Sequence, residues 1–156
     1  MKTLILSVTL LIIFFNACKT DAVHNLNMQA SVDKQDELTE NPLLQNVITA
    51  SIDPGEGTMQ TLYGNKVAWD YVNKHADAKY PTGAVLYSVT WKQKPDSFWF
   101  GANIPKEIQS IEQIRFLTDG QLRYELCQGR PLKKISGKPN ADRVLFILSQ
   151  KMAVSP

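Results

Sequence analysis

Apolar and polar residues alternate most regularly in the middle of the chain, in the stretch GAVLYSVTWKQK. Side chains of a β-strand point to opposite faces with a period of two residues, so this alternation predicts a strand. Either one set of positions faces the core, or both sets are buried. The first set is Val85, Tyr87, Val89 and Trp91, and the second is Ala84, Leu86, Ser88 and Thr90.

Three further segments have strand character. TMQTLYG precedes the central strand, and EIQSIEQIRFL follows it with an imperfect alternation. Ile108 and Ile111 fall on opposite faces of a regular strand, so we expect a β-bulge there. Asp119-Gly120 lies between two apolar runs and predicts a hairpin, because the favoured turn needs positive φ at both central positions. QLRYELCQG is the returning strand, and its alternation places Cys127 opposite Leu122, Tyr124 and Leu126.

Two segments have helical spacing. NKVAWDYVNKHA carries apolar residues along one side, and Asn65 is placed to cap its first turn. His75 lies on that same side. ADRVLFILSQKMA predicts a closing helix with Asn140 as its cap, whereas PLLQNVITAS predicts a short helix or an extended arm.

The order of these elements indicates the fold class. Strands and helices do not alternate regularly, as they would in a doubly wound parallel sheet. We therefore predict an α+β domain with a mostly antiparallel β-sheet of about five strands and helices packed on it.

The chain begins with a pattern typical of an exported protein. MKT is a short positive segment, the twelve residues LILSVTLLIIFF are apolar, and Ala17-Cys18 follows. Twelve helical residues would extend about 18 Å, less than the roughly 30 Å of a bilayer core, so a cleaved leader is favoured over a spanning helix. A small residue directly before a cysteine resembles the processing site of bacterial lipoproteins. The alternative is an ordinary signal peptide with an incidental cysteine.

The lipoprotein resemblance divides the chain into three parts. It implies a signal peptide over residues 1–17 and lipid attachment at Cys18. Residues 18–44 are polar and lack a clean period, which predicts a flexible tether. Residues 45–156 then form the folded domain. We expect an exported protein anchored by lipid to a bacterial membrane, facing the periplasm or the cell surface.

Charge and motifs exclude several functions. The net charge of +2 is too small to indicate a nucleic-acid-binding surface. The GxGxxG, P-loop, GxSxG and HExxH motifs do not occur in the chain. Two histidines and one free cysteine cannot form the usual zinc sites, so we expect no metal site. Without a recognisable catalytic constellation, binding is favoured over catalysis.

Aromatic residues are concentrated in the stretch TWKQKPDSFWFGANIP. Ligand pockets favour aromatic walls, but a small domain also closes its core with its largest side chains. We favour a core role, with a ligand pocket as the alternative. The candidate ligand-binding residues are Trp91, Phe98, Trp99, Phe100 and His75.

The segment YPTGAVLYSVTWKQKPDSFWFGANIP, preceded by TLYGNKVA and followed by RVLFILSQKMAVSP, resembles the cytochrome P-460 family. The similarity covers about Thr58 to Pro156. It implies an antiparallel five-stranded sheet with helices. Haem-bearing members of that family bind a c-type haem through a CxxCH motif near the C-terminus, with a lysine linked to the porphyrin, and oxidise hydroxylamine and nitric oxide.

This chain departs from the family pattern because it has no CxxCH motif, so covalent haem attachment does not carry over. A haem held non-covalently would have His75, Met59, Met152 or Cys127 as conceivable axial ligands. We expect a lipid-anchored module without covalent haem that binds a small apolar or planar ligand between sheet and helix. The alternatives are a non-covalent haem protein acting on small nitrogen compounds and a non-catalytic structural lipoprotein.

Overall fold

The computed structural model describes residues 27–75, 77, 79–137 and 140–153. These residues form one antiparallel sheet of six strands, in which the spatial order follows the chain order. Two α-helices lie within the described ranges. The elements are β1 (Asn46–Asp53), β2 (Thr58–Gly64), α1 (Lys66–Val72), β3 (Val85–Pro95), β4 (Asn103–Phe116), β5 (Leu122–Gln128), β6 (Lys133–Ile135) and α2 (Ala141–Ser149).

The predicted α+β class and antiparallel sheet are confirmed, with six strands instead of about five. The segment PLLQNVITAS supplies one of the differences. It forms a 3-10 turn, Pro42–Leu44, and then continues as the extended strand β1. The other difference is the short edge strand β6, which pairs with β5. Side-chain alternation did not indicate β6, because the strand has only three residues and turn-forming residues flank it.

The central strand β3 is buried on both faces, which decides between the two predicted alternatives. Residues 85–89 are all buried, because β2 and β4 pair with β3 on either side and both faces are covered. The predicted bulge in β4 is also confirmed. Thr90 pairs with Ser110 and Trp91 pairs with Ile108, so Gln109 is the extra residue. The bulge brings Ile108 and Ile111 into the same core cluster.

The predicted hairpin and both predicted helix caps are confirmed. β4 and β5 are joined by a turn in which Gly120 has φ +76°, but Asp119 does not have positive φ, so the turn is not the expected type with positive φ at both central positions. The Asn65 side chain accepts a hydrogen bond from Ala68 N at 3.0 Å, and the Asn140 side chain accepts one from Asp142 N at 3.0 Å. Each cap satisfies an amide that has no partner inside its helix.

One face of the sheet, which we call the helical face, packs against α1 and α2. Its apolar cluster is centred on Leu62, Leu86 and Ile114 of neighbouring strands, with Ala68 from α1 and Ile147 from α2. None of the described helices is long and apolar enough to cross a membrane.

The opposite face is covered by residues 27–44, which differ here from the predicted tether. Trp91 Nε1 donates to the carbonyl of Ala30 at 2.9 Å, and Glu37 N donates to the carbonyl of Leu132 at 2.8 Å. The apolar residues of this segment pack against a second core cluster. They are Ala30, Val32, Leu38 and Leu43. Because they are irregularly spaced, they carry no period, although each one buries apolar surface.

Candidate ligand-binding site

A polar pocket of about 430 Å³ lies on the helical face, beside the first turns of α2. This volume lies within the range of roughly 300–1,000 Å³ that is usual for small-molecule sites. The pocket is lined by polar residues from six elements or their connections, together with Leu126 and Phe146. The polar lining residues are Ser51, Asp53, Glu56, Thr58, Gln60, Thr90, Gln109, Ser110, Glu112, Tyr124, Gln128, Asn140 and Arg143.

Strand alternation creates this pocket from the same rows that build the core. On β4, Ile114 and Glu112 lie on one face, and on β3 Leu86 and Ser88 do the same. Gln60 continues the row of Leu62 on β2. The helical face is therefore apolar toward the start of β3 and polar toward its end.

The strongest electrostatic feature of the pocket is the pair formed by Glu112 and Arg143. Arg143 Nε lies 3.2 Å from Glu112 Oε1, and its Nη2 donates to Oε2. The Tyr124 hydroxyl also donates to Glu112 Oε1, at 2.8 Å. Glu112 is only 4% exposed. A buried carboxylate requires partners of this kind, because removing its charge from water is costly.

The hydrogen bonds to Glu112 raise the pKa of Arg143 and contribute to the raised pKa of Tyr124. The hydrogen bond to Glu112 raises the pKa of Arg143 above its ordinary value. Burial, followed by the hydrogen bond to Glu112, raises the pKa of Tyr124. Both groups therefore keep their protons throughout the physiological range, with Arg143 charged and Tyr124 neutral.

Two buried polar atoms beside the pair have no hydrogen-bond partner among the described residues. They are Gln60 Nε2 and Ser88 Oγ. The oxygen of the Gln60 amide accepts from Arg143 Nη2 at 3.3 Å, which orients the amide group. Gln60 is 9% exposed and lines the pocket, whereas Ser88 lies fully buried beneath it. Buried donors are nearly always paired in native proteins, so the Gln60 amide is suited to a ligand oxygen.

The structure separates the five residues that the sequence singled out. Trp91 is 5% exposed in the core beneath residues 27–44, in line with the favoured core role. Phe98, Trp99 and Phe100 lie on the loop between β3 and β4, with exposed fractions of 81%, 73% and 110%. Within the described part of the chain, these three rings belong to neither core cluster and do not line the polar pocket or the groove next to His75.

His75 lies beyond the end of α1 and is exposed, instead of facing the core as its helical position predicted. The helix ends at Val72, so the 3.6-residue period no longer applies at position 75. Its ring stacks on Tyr71, with ring centroids 4.2 Å apart and an interplanar angle of 11°. It lines a separate groove of about 590 Å³.

The conceivable haem ligands are also dispersed. Met152 lines the same groove as His75. Cys127 is buried on the opposite face of the sheet, where burial raises the pKa of its thiol, and Met59 packs against that same cluster. Within the described ranges, no three histidine, cysteine or acidic side chains are grouped so that they could hold a metal ion. Cys18 lies outside the described residues.

Sequence reasoning missed Gln60, Glu112 and Arg143. One signal could have indicated the glutamate. In SIEQI, strand alternation places Ser110, Glu112 and Ile114 on one face, and a charged residue in a buried row needs a partner. Arg143 gave no comparable signal, because a charged residue in the first turns of a helix is ordinary.

The fold and the pocket define a small α+β domain with one antiparallel sheet and a polar site on its helical face. Neither the models of known protein families nor the curated protein sequences contain a match to this chain.

Proposed function

We propose that this protein is an exported, lipid-anchored binding module whose ligand occupies the polar pocket next to the Glu112–Arg143 pair. Export and anchoring rest on the leader pattern and on Cys18. The resemblance to the cytochrome P-460 family motivates a ligand between sheet and helix. The observation that carries the proposal is the orphaned amide nitrogen of Gln60, which is buried at the pocket wall.

The pocket lining favours a small, planar and polar ligand. The Gln60 amide would donate to a carbonyl or carboxylate oxygen, since it lacks a protein acceptor. The Arg143 guanidinium lies over the Phe146 ring, 5.0 Å from the ring centroid. The two groups give the pocket a flat wall that is both cationic and aromatic. A planar molecule would stack there. Of the apolar or planar ligand that the sequence led us to expect, this lining favours the planar kind, with a polar acceptor group.

The test is a binding titration with small planar molecules that carry an acceptor oxygen. We would add benzamide, nicotinamide or benzoate to the protein and follow the amide signals of β2 and β4 by NMR. We expect shifts at Gln60 and Glu112 with at least one of these probes. Gln60→Leu should abolish the shifts with little change in stability, because the hydrogen bond lost from Arg143 is offset by the removal of an unpaired buried donor.

A matched control separates the site from the chemistry of the substitution. Gln121→Leu makes the same change at an exposed position in the turn before β5. It should leave probe binding unchanged. If none of the probes shifts pocket signals, or if Gln60→Leu binds as the original protein does, the pocket is not the binding site.

A non-covalently held haem is the second candidate, favoured by the shared groove of His75 and Met152. Those two side chains would hold the iron, and Val72 and Leu148 would contact the ring. The haem would supply redox chemistry for small nitrogen compounds. Haemin added to the protein should then give a Soret band that His75→Ala removes and Lys74→Ala retains. If no Soret band appears, the groove does not bind haem, and the alternative of a non-catalytic structural lipoprotein remains for it.

Anchoring has its own test. Cells producing the full chain should retain the protein in the membrane fraction, and Cys18→Ala should release it, because the acyl chains supply the membrane affinity. A Cys18→Ala protein that stays with the membrane would contradict the anchor and leave the pocket proposal intact.

A further inference from the structure

The loop Asp96–Ala102, which we call the aromatic loop, exposes three consecutive aromatic side chains. Phe98, Trp99 and Phe100 have exposed fractions of 81%, 73% and 110%. Each ring would bury about 150–250 Å² if it were covered, so their exposure to water is unfavourable. Contiguous exposed apolar groups on a protein surface mark a site for a partner or a membrane.

The aromatic loop has a defined shape of its own. Asp96 N donates to the carbonyl of Ala102 at 2.9 Å, and Ala102 N donates to the carbonyl of Trp99 at 3.0 Å. The Asp96 carboxylate accepts from Phe98 N at 2.8 Å. Gly101, with φ +81°, allows the chain to turn back into β4. The rings are therefore held outward by the loop itself, and binding would not have to order it.

The described chain begins next to this loop. The Asn27 side chain donates to the carbonyls of Pro105 and Lys106, at the start of β4. Arg130 donates to the carbonyl of Gln29, and Trp91 donates to that of Ala30. These bonds fix residues 27–30 to the end of the sheet that carries the aromatic loop.

The distance to the proposed anchor follows from the covalent chain. Asn27 lies nine positions after Cys18 in the chain. A chain of nine residues spans at most about 30 Å when fully extended. A lipid on Cys18 would therefore hold Asn27, and with it the aromatic-loop end of the domain, within about 30 Å of the bilayer surface.

We infer that the aromatic loop inserts into the lipid interface and acts as a second membrane contact beside the acylated Cys18. Trp and Phe are side chains that settle at the boundary between lipid headgroups and acyl chains. The same hairpin carries Lys94 and Lys106, which suit phosphate headgroups, against the acidic Asp96. Lys92 pairs with Glu107 at 3.0 Å. The inference rests on the proposed lipid anchor for its geometry, and the loop would add a protein contact to the hold of the acyl chains.

The test places the protein in vesicles of phosphatidylethanolamine and phosphatidylglycerol and measures tryptophan quenching by lipids brominated near the headgroup. The full chain is produced in cells, extracted in its processed form and reconstituted. Of the three tryptophans, Trp91 is buried and Trp69 is half-buried, so the Trp99→Phe variant isolates the Trp99 signal. We expect brominated lipid to quench Trp99 and vesicles to shift its emission to shorter wavelength.

A variant pair makes the result specific. The triple variant should show no quenching by brominated lipid; it carries Phe98→Ser, Trp99→Ser and Phe100→Ser. On vesicles, an added protease should also cleave its loop faster, because the loop no longer lies in the lipid interface. These side chains are exposed, so the fold should persist. The control removes apolar surface at the opposite end of the sheet through Leu44→Ser and Leu122→Ser, which are 82% and 43% exposed. It should retain full quenching of Trp99.

Two outcomes would overturn the inference. Protein that is bound to vesicles while Trp99 stays accessible to aqueous acrylamide would show that the loop remains in water. A loop already shielded without vesicles, in a dimer that the triple serine variant dissociates, would show that a second copy of the chain covers it.

Failure of the anchor can be distinguished from failure of the loop. If Cys18 carries no acyl group, the proposal of an anchor fails first. The Cys18 thiol can then be coupled to a maleimide-bearing lipid, because Cys127 is buried and its raised pKa keeps the thiol protonated. The same quenching measurement then tests the loop: quenched Trp99 supports the inference, and unquenched Trp99 overturns it.

Discussion

Arg143 on α2 and Glu112 on β4 form a two-point ion pair that joins the last helix to the centre of the sheet. The Glu112 side chain is 5% exposed, whereas the partners in the other described ion pairs are at least 19% exposed. The pair lies at the polar end of a face whose other end is apolar. The pair therefore holds α2 against the sheet and also forms one wall of the pocket.

We expect Arg143→Met to lower the free energy of unfolding by about 3 kcal/mol, because it leaves the Glu112 charge buried without its partner. The double variant Glu112→Leu with Arg143→Met should lose much less, since no buried charge remains. Urea denaturation followed by circular dichroism measures both. Lys92→Met breaks the exposed pair with Glu107 and should cost at most about 1 kcal/mol. A similar loss in Arg143→Met and Lys92→Met would contradict the role of burial.

Gly64, at the end of β2, lies where α1 meets β1. A Cβ atom there would come within 2.8 Å of Ile48 Cδ1 and 3.0 Å of Ala68 Cβ. Gly64→Ala should therefore overpack the core and lower the free energy of unfolding by about 1–3 kcal/mol. Gly137→Ala is the matched control, because its Cβ would meet nothing within 4 Å. If the two variants unfold at the same urea concentration, the space around Gly64 accommodates a methyl group without strain.

The Tyr71 hydroxyl donates a hydrogen bond to the Asp77 carboxylate, and this bond lowers the pKa of Asp77. The same bond raises the pKa of Tyr71 to about 12. A carboxyl whose pKa is lower in the folded state stabilises the fold above its unfolded pKa of about 3.9, and that contribution is lost as the pH falls through the folded pKa.

Tyr71→Phe should accordingly raise the pKa of Asp77 toward its ordinary value and weaken the fold only in the pH range above the folded pKa. An NMR titration of the Asp77 carboxyl carbon measures the shift. Tyr63→Phe, on β2, provides the comparison and should leave the Asp77 curve in place. Superimposable curves for the original protein and Tyr71→Phe would mean that the hydrogen bond does not form in solution.

Residues 27–44 should behave as part of the domain. Leu38 is half-buried against the core beneath this segment, whereas Leu44 is 82% exposed. We expect Leu38→Ser to lower the free energy of unfolding by about 1–2 kcal/mol, because apolar surface returns to water in the variant. Leu44→Ser makes the same change without burial and should have little effect. If both variants unfold at the same urea concentration, the segment is a tether after all.

Most of the sheet could be predicted from local patterns. β2, β3, the bulge in β4 and the Asp119-Gly120 hairpin each depend on neighbouring residues, through side-chain alternation and turn conformation. The same holds for the helix caps Asn65 and Asn140, whose acceptors lie within three residues of the amides they satisfy. Interactions between residues that are close in the chain can be predicted from the sequence alone.

The candidate site depends on long-range contacts, which no local pattern contains. Gln60, Glu112 and Arg143 belong to three elements far apart in the chain, and only the pairing of β2, β3 and β4 with α2 above them makes them neighbours. His75 shows the opposite case, because an expected core position was lost when the helix ended at Val72.

The sequence by itself determined the strands β2 to β5, the hairpin between β4 and β5, the caps and the fold class, because each of these follows from the conformational preferences of adjacent residues. Only the tertiary structure decided which aromatic rings are covered. It buried Trp91 under residues 27–44, whose apolar side chains have no period, and it left Phe98, Trp99 and Phe100 in water. It also placed an orphaned amide beside a buried ion pair. Burial depends on what lies across from a residue, and that is fixed by the packing of distant segments.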